Sequence, residues 1–285
     1  MVQFLVKQGA DINGINPGQT SSPLCYALHN QQPSIFLLLA EKGAMINGTS
    51  NGIKPIIEAM NHRVYDMVEF LLGKGVSLYT RDASGESIFH ICVRQDNVLF
   101  AQKILDRQFN VDDKETSFGK TPLHIACEEK KSIAMIDLLI NRSAEIESMD
   151  NAGRTPLYYG IVNMNKELVA YLLKKSAAIN NIVCRAGRSA VYDFVFGLSG
   201  TAEQAAFLDY ILSCGADATT PNSSHTGGMT PLHAAAAGLK INFIPVLLKY
   251  GASTQAVDSN GMRPVDVVAK NGRPDLVEAT IKALS

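Results

Sequence analysis

The chain of 285 residues carries 26 Lys and Arg against 27 Asp and Glu, a formal net charge of -1. It lacks the cation surplus that a phosphate backbone or an acidic membrane demands, which excludes nucleic acid as the principal partner. At 46% hydrophobic and 19% charged it has apolar surface enough for a continuous core, and no apolar run reaches the roughly 18 to 20 residues of a membrane span.

In chain order, residues 2–14 (Val2-Gln-Phe-Leu-Val-Lys-Gln-Gly9-Ala-Asp11-Ile-Asn13) read as a second helix and turn with no first helix ahead of them. The expectation is a chain cut from a longer array, the alternative being a half-repeat that serves as an unusual cap. Helix pairs then follow, each with an anchor at the start of its first helix. The anchors are Pro23, Pro55, Ile88, Pro122, Pro156, Ala190, Pro231 and Pro264, 32 to 34 residues apart except for 41 between Ala190 and Pro231. The best-formed copies read Gly119-Lys-Thr121-Pro122-Leu123-His124, Gly153-Arg-Thr155-Pro156-Leu157-Tyr158 and Gly228-Met-Thr230-Pro231-Leu232-His233. Second helices close alike, in Phe36-Leu-Leu-Leu-Ala-Glu-Lys-Gly43 and Val246-Leu-Leu-Lys-Tyr-Gly251.

Each piece has a physical purpose. A Thr hydroxyl caps the first helix, Pro suits its first turn because no amide hydrogen is needed there, and Gly supplies a left-handed cap after the second helix. The copy at Ala190 departs most: Phe194 and Phe196 replace small residues and are expected to force repacking of the core. Its surplus residues fall in the stretches 197–203 and 219–228, both rich in loop formers. The enlarged turn around Asn222 is one candidate for partner contact.

The repeated motif resembles the ankyrin signature Gly-x-Thr-Pro-Leu-His-x-Ala. The resemblance implies an all-α solenoid of stacked helix pairs with projecting β-hairpin turns, one array over residues 1–285 made of a half-repeat (1–14) and eight repeats. It implies a protein-protein interaction module, a scaffold, adaptor or targeting protein taking a peptide or domain on its concave face. The alternative is a regulatory region acting in cis within a larger enzyme or channel. Such arrays bind through hairpin tips and first-helix ends, which here are Phe118, Lys120, Glu128, Glu129, Asn151, Arg154, Asn163, Arg185, Arg188 and Met229. Phe118 stands out, because an exposed aromatic at a tip is costly without a partner and aromatic anchors are over-represented in binding hot spots. Segment 5–13 also resembles the Leu…Asp-Val-Asn pattern of hydroxylated ankyrin asparagines, with Asn13 as acceptor.

Catalysis finds no footing. His90, His124 and His233 share one motif position in separate repeats, and helices about 8 to 10 Å apart hold imidazoles too far from each other for one metal ion. Gly119-Lys120-Thr121 lacks the earlier glycine of a phosphate loop. No enzymatic activity, cofactor, metal or small-molecule substrate is expected. Five cysteines without a Cys-x-x-Cys pair are read as reduced core thiols, and the start lacks a basic region before an apolar stretch, so a cytoplasmic or nuclear site is expected.

Overall fold

The computed structural model describes residues 4, 7–14, 22–47, 54–180, 184, 187–223, 227–268 and 274–285. Sixteen helices are assigned among these residues. The chain divides into two compact units, one of Met1–Ala126 with Lys131–Ala144, the other of Cys127–Lys130 with Glu145–Ser285.

In the first unit α1 (Pro23–His29) packs on α2 (Pro33–Glu41), α3 (Pro55–Asn61) on α4 (Tyr65–Gly73), and α5 (Ile88–Arg94) on α6 (Val98–Asp106). The pairs then stack, α1 on α3 on α5, and α6 meets α8 (Ile133–Asn141), which follows α7 (Pro122–Glu128). In the second unit the first helices α9 (Pro156–Val162), α11 (Ala190–Gly197), α13 (Pro231–Ala237) and α15 (Pro264–Val268) form one row. Behind them lie α10 (Lys166–Lys174), α12 (Ala202–Ser213), α14 (Phe243–Lys249) and α16 (Pro274–Leu284), with α12 touching α14 and α14 touching α16. A short two-helix unit cannot cover both its apolar faces, and neighbour-on-neighbour stacking supplies the burial.

The motif residues explain the helix starts. In three repeats a hydroxyl donates to the histidine one turn on: Ser87 to His90 Nδ1, Thr121 to His124 Nδ1 and Thr230 to His233 Nδ1, each at 2.8 Å. The amide of the same Ser or Thr donates to that nitrogen too, so the ring proton lies on Nε2. His233 Nε2 donates it to the Met262 carbonyl in the following repeat at 2.8 Å. The leucines after the anchors, Leu123, Leu157 and Leu232, are buried to within 1% of full enclosure.

Second helices end as the sequence predicts where glycine is present: Gly43 has φ +91° and Gly251 φ +89°. Three repeats place Gln108, Ser143 and Ser176 at φ between 60° and 71° in the same position, a conformation that disfavours a residue with a Cβ by about 1 kcal/mol. Their neighbours hold them there through the bonds that close the helix, as when Ala144 N donates to the Leu139 carbonyl.

The projecting turns are short and closed by single backbone bonds, Asp150 N to the Arg154 carbonyl at 3.0 Å and Asp258 N to the Met262 carbonyl at 2.9 Å. No strand is formed among the described residues; the one isolated antiparallel bridge joins Arg81 and Ser87. Among the described fingers, those that begin at Asp82, Glu115, Asp150, Asn222 and Asp258 are also clasped from within by a side chain. Asp150 Oδ1 accepts the amides of Ala152 and Arg154 at 2.8 and 2.9 Å, and Asp258 Oδ1 those of Asn260 and Met262 at the same distances. In the finger before α7 the longer Glu115 takes this part, accepting from Ser117, Phe118 and Lys120. The amides of Met262 and Asn260 hold the Asp258 carboxyl below the usual carboxylate range, which records the same clasp.

The divergent repeat corrects two expectations. Phe194 is buried, 1% exposed, against Phe207 and Phe243, but Phe196 is 58% exposed. Residues two apart point to different sides of a helix, so the pair cannot share one core. Part of the surplus length is helix rather than loop: Thr201 accepts from the Gln204 amide and α12 runs 12 residues, against 9 in α10. In the enlarged turn Asn222 is 4% exposed and its carbonyl oxygen Oδ1 accepts from Met229 N, so this residue anchors the turn; residues 224–226 lie outside those described.

Candidate protein-binding surface

In the first unit Phe118 is 63% exposed at its finger tip, and the Lys120 ammonium lies 5.2 Å from its ring centroid. The Glu115 clasp holds the backbone while the ring stays in solvent. This is an amphipathic contact at low cost in backbone entropy.

The second unit holds the richer arrangement. Arg154 and Arg188 come together around a pocket of about 310 Å³, walled by Tyr158, Asp193, Phe194 and Phe196. Arg188 Nε lies 2.7 Å from Asp193 Oδ1, and the Tyr158 hydroxyl donates to Asp193 Oδ2 at 2.9 Å. Both carboxylate oxygens are thereby taken. The Arg154 guanidinium lies 5.1 Å from the Tyr158 ring centroid and that of Arg188 6.0 Å from Phe196. Lys240 also approaches Phe196, 5.9 Å from the ring, and donates to the Val195 and Phe196 carbonyls at 2.6 Å each. A cation there matches the negative end of α11, although burial pulls the Lys240 pKa down.

Tyr158 stands where other repeats carry histidine, and the substitution changes the wiring. Its hydroxyl reaches forward to Asp193, an inter-repeat bond of the kind His233 makes to Met262. Burial, with Asp193 adding, pushes the phenol pKa up. It gives Thr155 nothing: the Thr155 Oγ1 is buried and has no hydrogen-bond partner. Tyr159 turns back instead and donates to Asp150 Oδ2 at 2.6 Å, tying α9 to its own finger.

The remaining sequence-predicted residues fall variously. Asn151 is exposed at a finger tip. Asn163 donates through Nδ2 to the Glu128 carbonyl at 2.8 Å, a bond between successive repeats. Glu128, Glu129 and Met229 are half-buried. Arg185 lies outside the described residues. Phe196 and Lys240 were missed; the spacing of Phe194 and Phe196 was the signal for the first, while Lys240 comes from the following repeat and gives no local sign.

Within each unit helix pairs stack on helix pairs and clasped turns join several of them, which defines a helical repeat protein. Residues 1–82 and 89–183 match the family model described as "Ankyrin repeats (3 copies)" and residues 227–259 that of a single ankyrin repeat; the chain belongs to the ankyrin repeat family. It is similar to the putative ankyrin repeat protein FPV031 of fowlpox virus, 25% identical over 61% of this chain and 53% of that one. Mouse Rabankyrin-5 is 25% identical over 62% of this chain and 17% of its own length. Palmitoyltransferase AKR1 of Lachancea kluyveri is 24% identical over 55% of this chain and 22% of its own. The chain thus spans about half or less of these relatives. The human ASB11 ankyrin repeat domain shares the fold, with a TM-score of 0.62 at 20% identity over 81% of this chain and 98% of that structure.

The family's repeats are protein-interaction modules and typically non-enzymatic. Among the described residues no helix is long and apolar enough to cross a membrane. Cys25, Cys92, Cys127 and Cys184 are buried free thiols, with Cys214 half-buried; burial alone pushes the Cys92 thiol up to about 12.

Proposed function

We propose that the chain is an adaptor or targeting module that recognises a protein partner through the pocket between Arg154 and Arg188, with Phe196 as its apolar anchor. The observation that carries this is an exposed phenylalanine beside Arg188 and Lys240, in a pocket that Arg154 also lines and whose one wall carboxylate is already held by Arg188 and Tyr158. Aromatic and Arg side chains in a partly desolvated recess are the usual hot-spot pair. A partner offering an acidic side chain beside an apolar one fits. Phe118 and Lys120 offer a second contact of the same type on their own finger. A cytoplasmic or nuclear setting accords with reduced thiols.

The test is affinity capture from cell lysate with wild type and with Phe196→Ala, the melting temperatures being matched. Loss of specific partners from the variant supports the pocket; identical recoveries reject it. Phe118→Ala, run alongside, reports on the finger.

A second reading is favoured by the lengths of the relatives, since the matched region occupies only 22% of palmitoyltransferase AKR1 and 17% of mouse Rabankyrin-5. An array of this kind within a larger protein regulates its neighbouring domain in cis. Sequencing the transcript past both ends decides: an adjoining catalytic or channel domain favours this reading, and stop codons at both ends favour a freestanding adaptor.

A further inference from the structure

The motif histidines are spoken for by their capping bonds, but among the described residues two further histidines lie off the motif position. His29 ends α1, and His62 caps α3 one turn after Glu58. The two helices pack on each other, which brings His29 Nδ1 to 3.2 Å from His62 Nε2. Glu58 Oε2 lies 3.2 Å from the same His62 nitrogen. One donor atom from each residue falls within 4.8 Å of the others.

We infer that His29, Glu58 and His62 form a binding site for a divalent transition-metal ion of the zinc type, with one coordination position open to solvent. Donors about 2.0 to 2.1 Å from a tetrahedral ion stand about 3.3 Å apart, and two of the three edges already have nearly this length. The third closes by rotation of the exposed His29 side chain. Glu58 and His62 at i and i+4 project from one face of α3 as a two-toothed chelate, and α1 supplies the third donor from the preceding repeat. The rings cross at 88° with centroids 4.8 Å apart, so neither blocks the other's lone pair by stacking.

The donor set also selects the ion. Two imidazoles and a carboxylate suit Zn²⁺, Cu²⁺ or Ni²⁺ better than Ca²⁺ or Mg²⁺, which prefer oxygen. Cys25, one turn before His29, is buried and is not among the donors that fall within reach of one ion, so the site has no sulfur ligand. Three protein donors leave the fourth place to water or to a side chain of a bound protein. The site lies in the first unit and does not depend on the reading of the Arg154 pocket.

The test uses the full chain and Zn²⁺ alone, by calorimetric titration in a non-chelating buffer, with His29→Gln and His62→Gln compared at matched metal-free melting temperature. One ion per chain is expected for wild type. Losing a direct ligand is expected to weaken binding by at least about tenfold, the lower end of what loss of an outer-shell partner costs. As a check independent of variant folding, Co²⁺ bound to the wild-type chain is expected to give a tetrahedral absorption spectrum that Zn²⁺ abolishes. No binding by wild type, equal binding by both variants, or an octahedral Co²⁺ spectrum overturns the site.

Discussion

Two repeats of the second unit begin with the same three residues, Thr-Pro-Leu, and end up wired differently. At Thr230 the motif is closed: the hydroxyl donates to His233 Nδ1, accepts from the His233 amide at 3.4 Å, and the far ring nitrogen bonds to the next repeat. At Thr155 tyrosine replaces the histidine, the hydroxyl is stranded, and the phenol reaches Asp193 instead. A closed motif spends its polar groups on the fold. The opened one redirects them toward a surface where arginines, a carboxylate and an exposed aromatic ring meet.

The comparison breaks most easily at α11, where the core and the surface lie two residues apart. Phe194→Ala is expected to destabilise by about 3 to 5 kcal/mol, as for a fully buried aromatic, whereas Phe196→Ala stays within about 0.5 kcal/mol of wild type. Urea unfolding measures both, and comparable losses would place Phe196 in the core after all. Next in size are the paired threonines. Thr230→Val is expected to cost about 1 to 2 kcal/mol through its lost cap, while Thr155→Val is neutral or stabilises by up to about 1 kcal/mol, because it removes a buried hydroxyl that bonds to nothing. Equal costs would show that Thr155 has a partner.

The smallest effect concerns a motif histidine in the first unit. His90 is fully buried, and burial lowers its pKa from 6.5 although Asp113, 3.7 Å away, pulls the other way. Below pH 6.5 the unfolded chain therefore takes up this proton before the folded one, so the contribution is complete above 6.5 and is lost as pH falls. Urea midpoints across that range are expected to decline less steeply for His90→Gln than for wild type. Parallel slopes would mean that Asp113 offsets the burial.

The helix pairs were legible because their signals are local: a hydroxyl, a proline and a histidine within four residues, and glycine after the second helix. The sites were legible only in part. Arg154 and Arg188 follow from their place in the repeat, yet Phe196 was assigned to the core with Phe194, although the two-residue spacing argues otherwise. His29 and His62 fall at different offsets from their anchors, and only the packing of α1 on α3 makes them neighbours. The clasping side chains gave no local sign of their own; they add to the backbone bonds that close the turns, such as Asp150 N to the Arg154 carbonyl and Asp258 N to the Met262 carbonyl.

That clasp has a wider consequence. A finger whose backbone polarity is met by Asp150, Asp258 or Glu115 asks nothing of the side chain at its tip. Tip residues can be rewritten as freely as type in a fixed frame, with the surrounding helices indifferent to the text. Novelty in what such a protein recognises then requires no renegotiation of how it folds, and a lineage can change its targets one finger at a time.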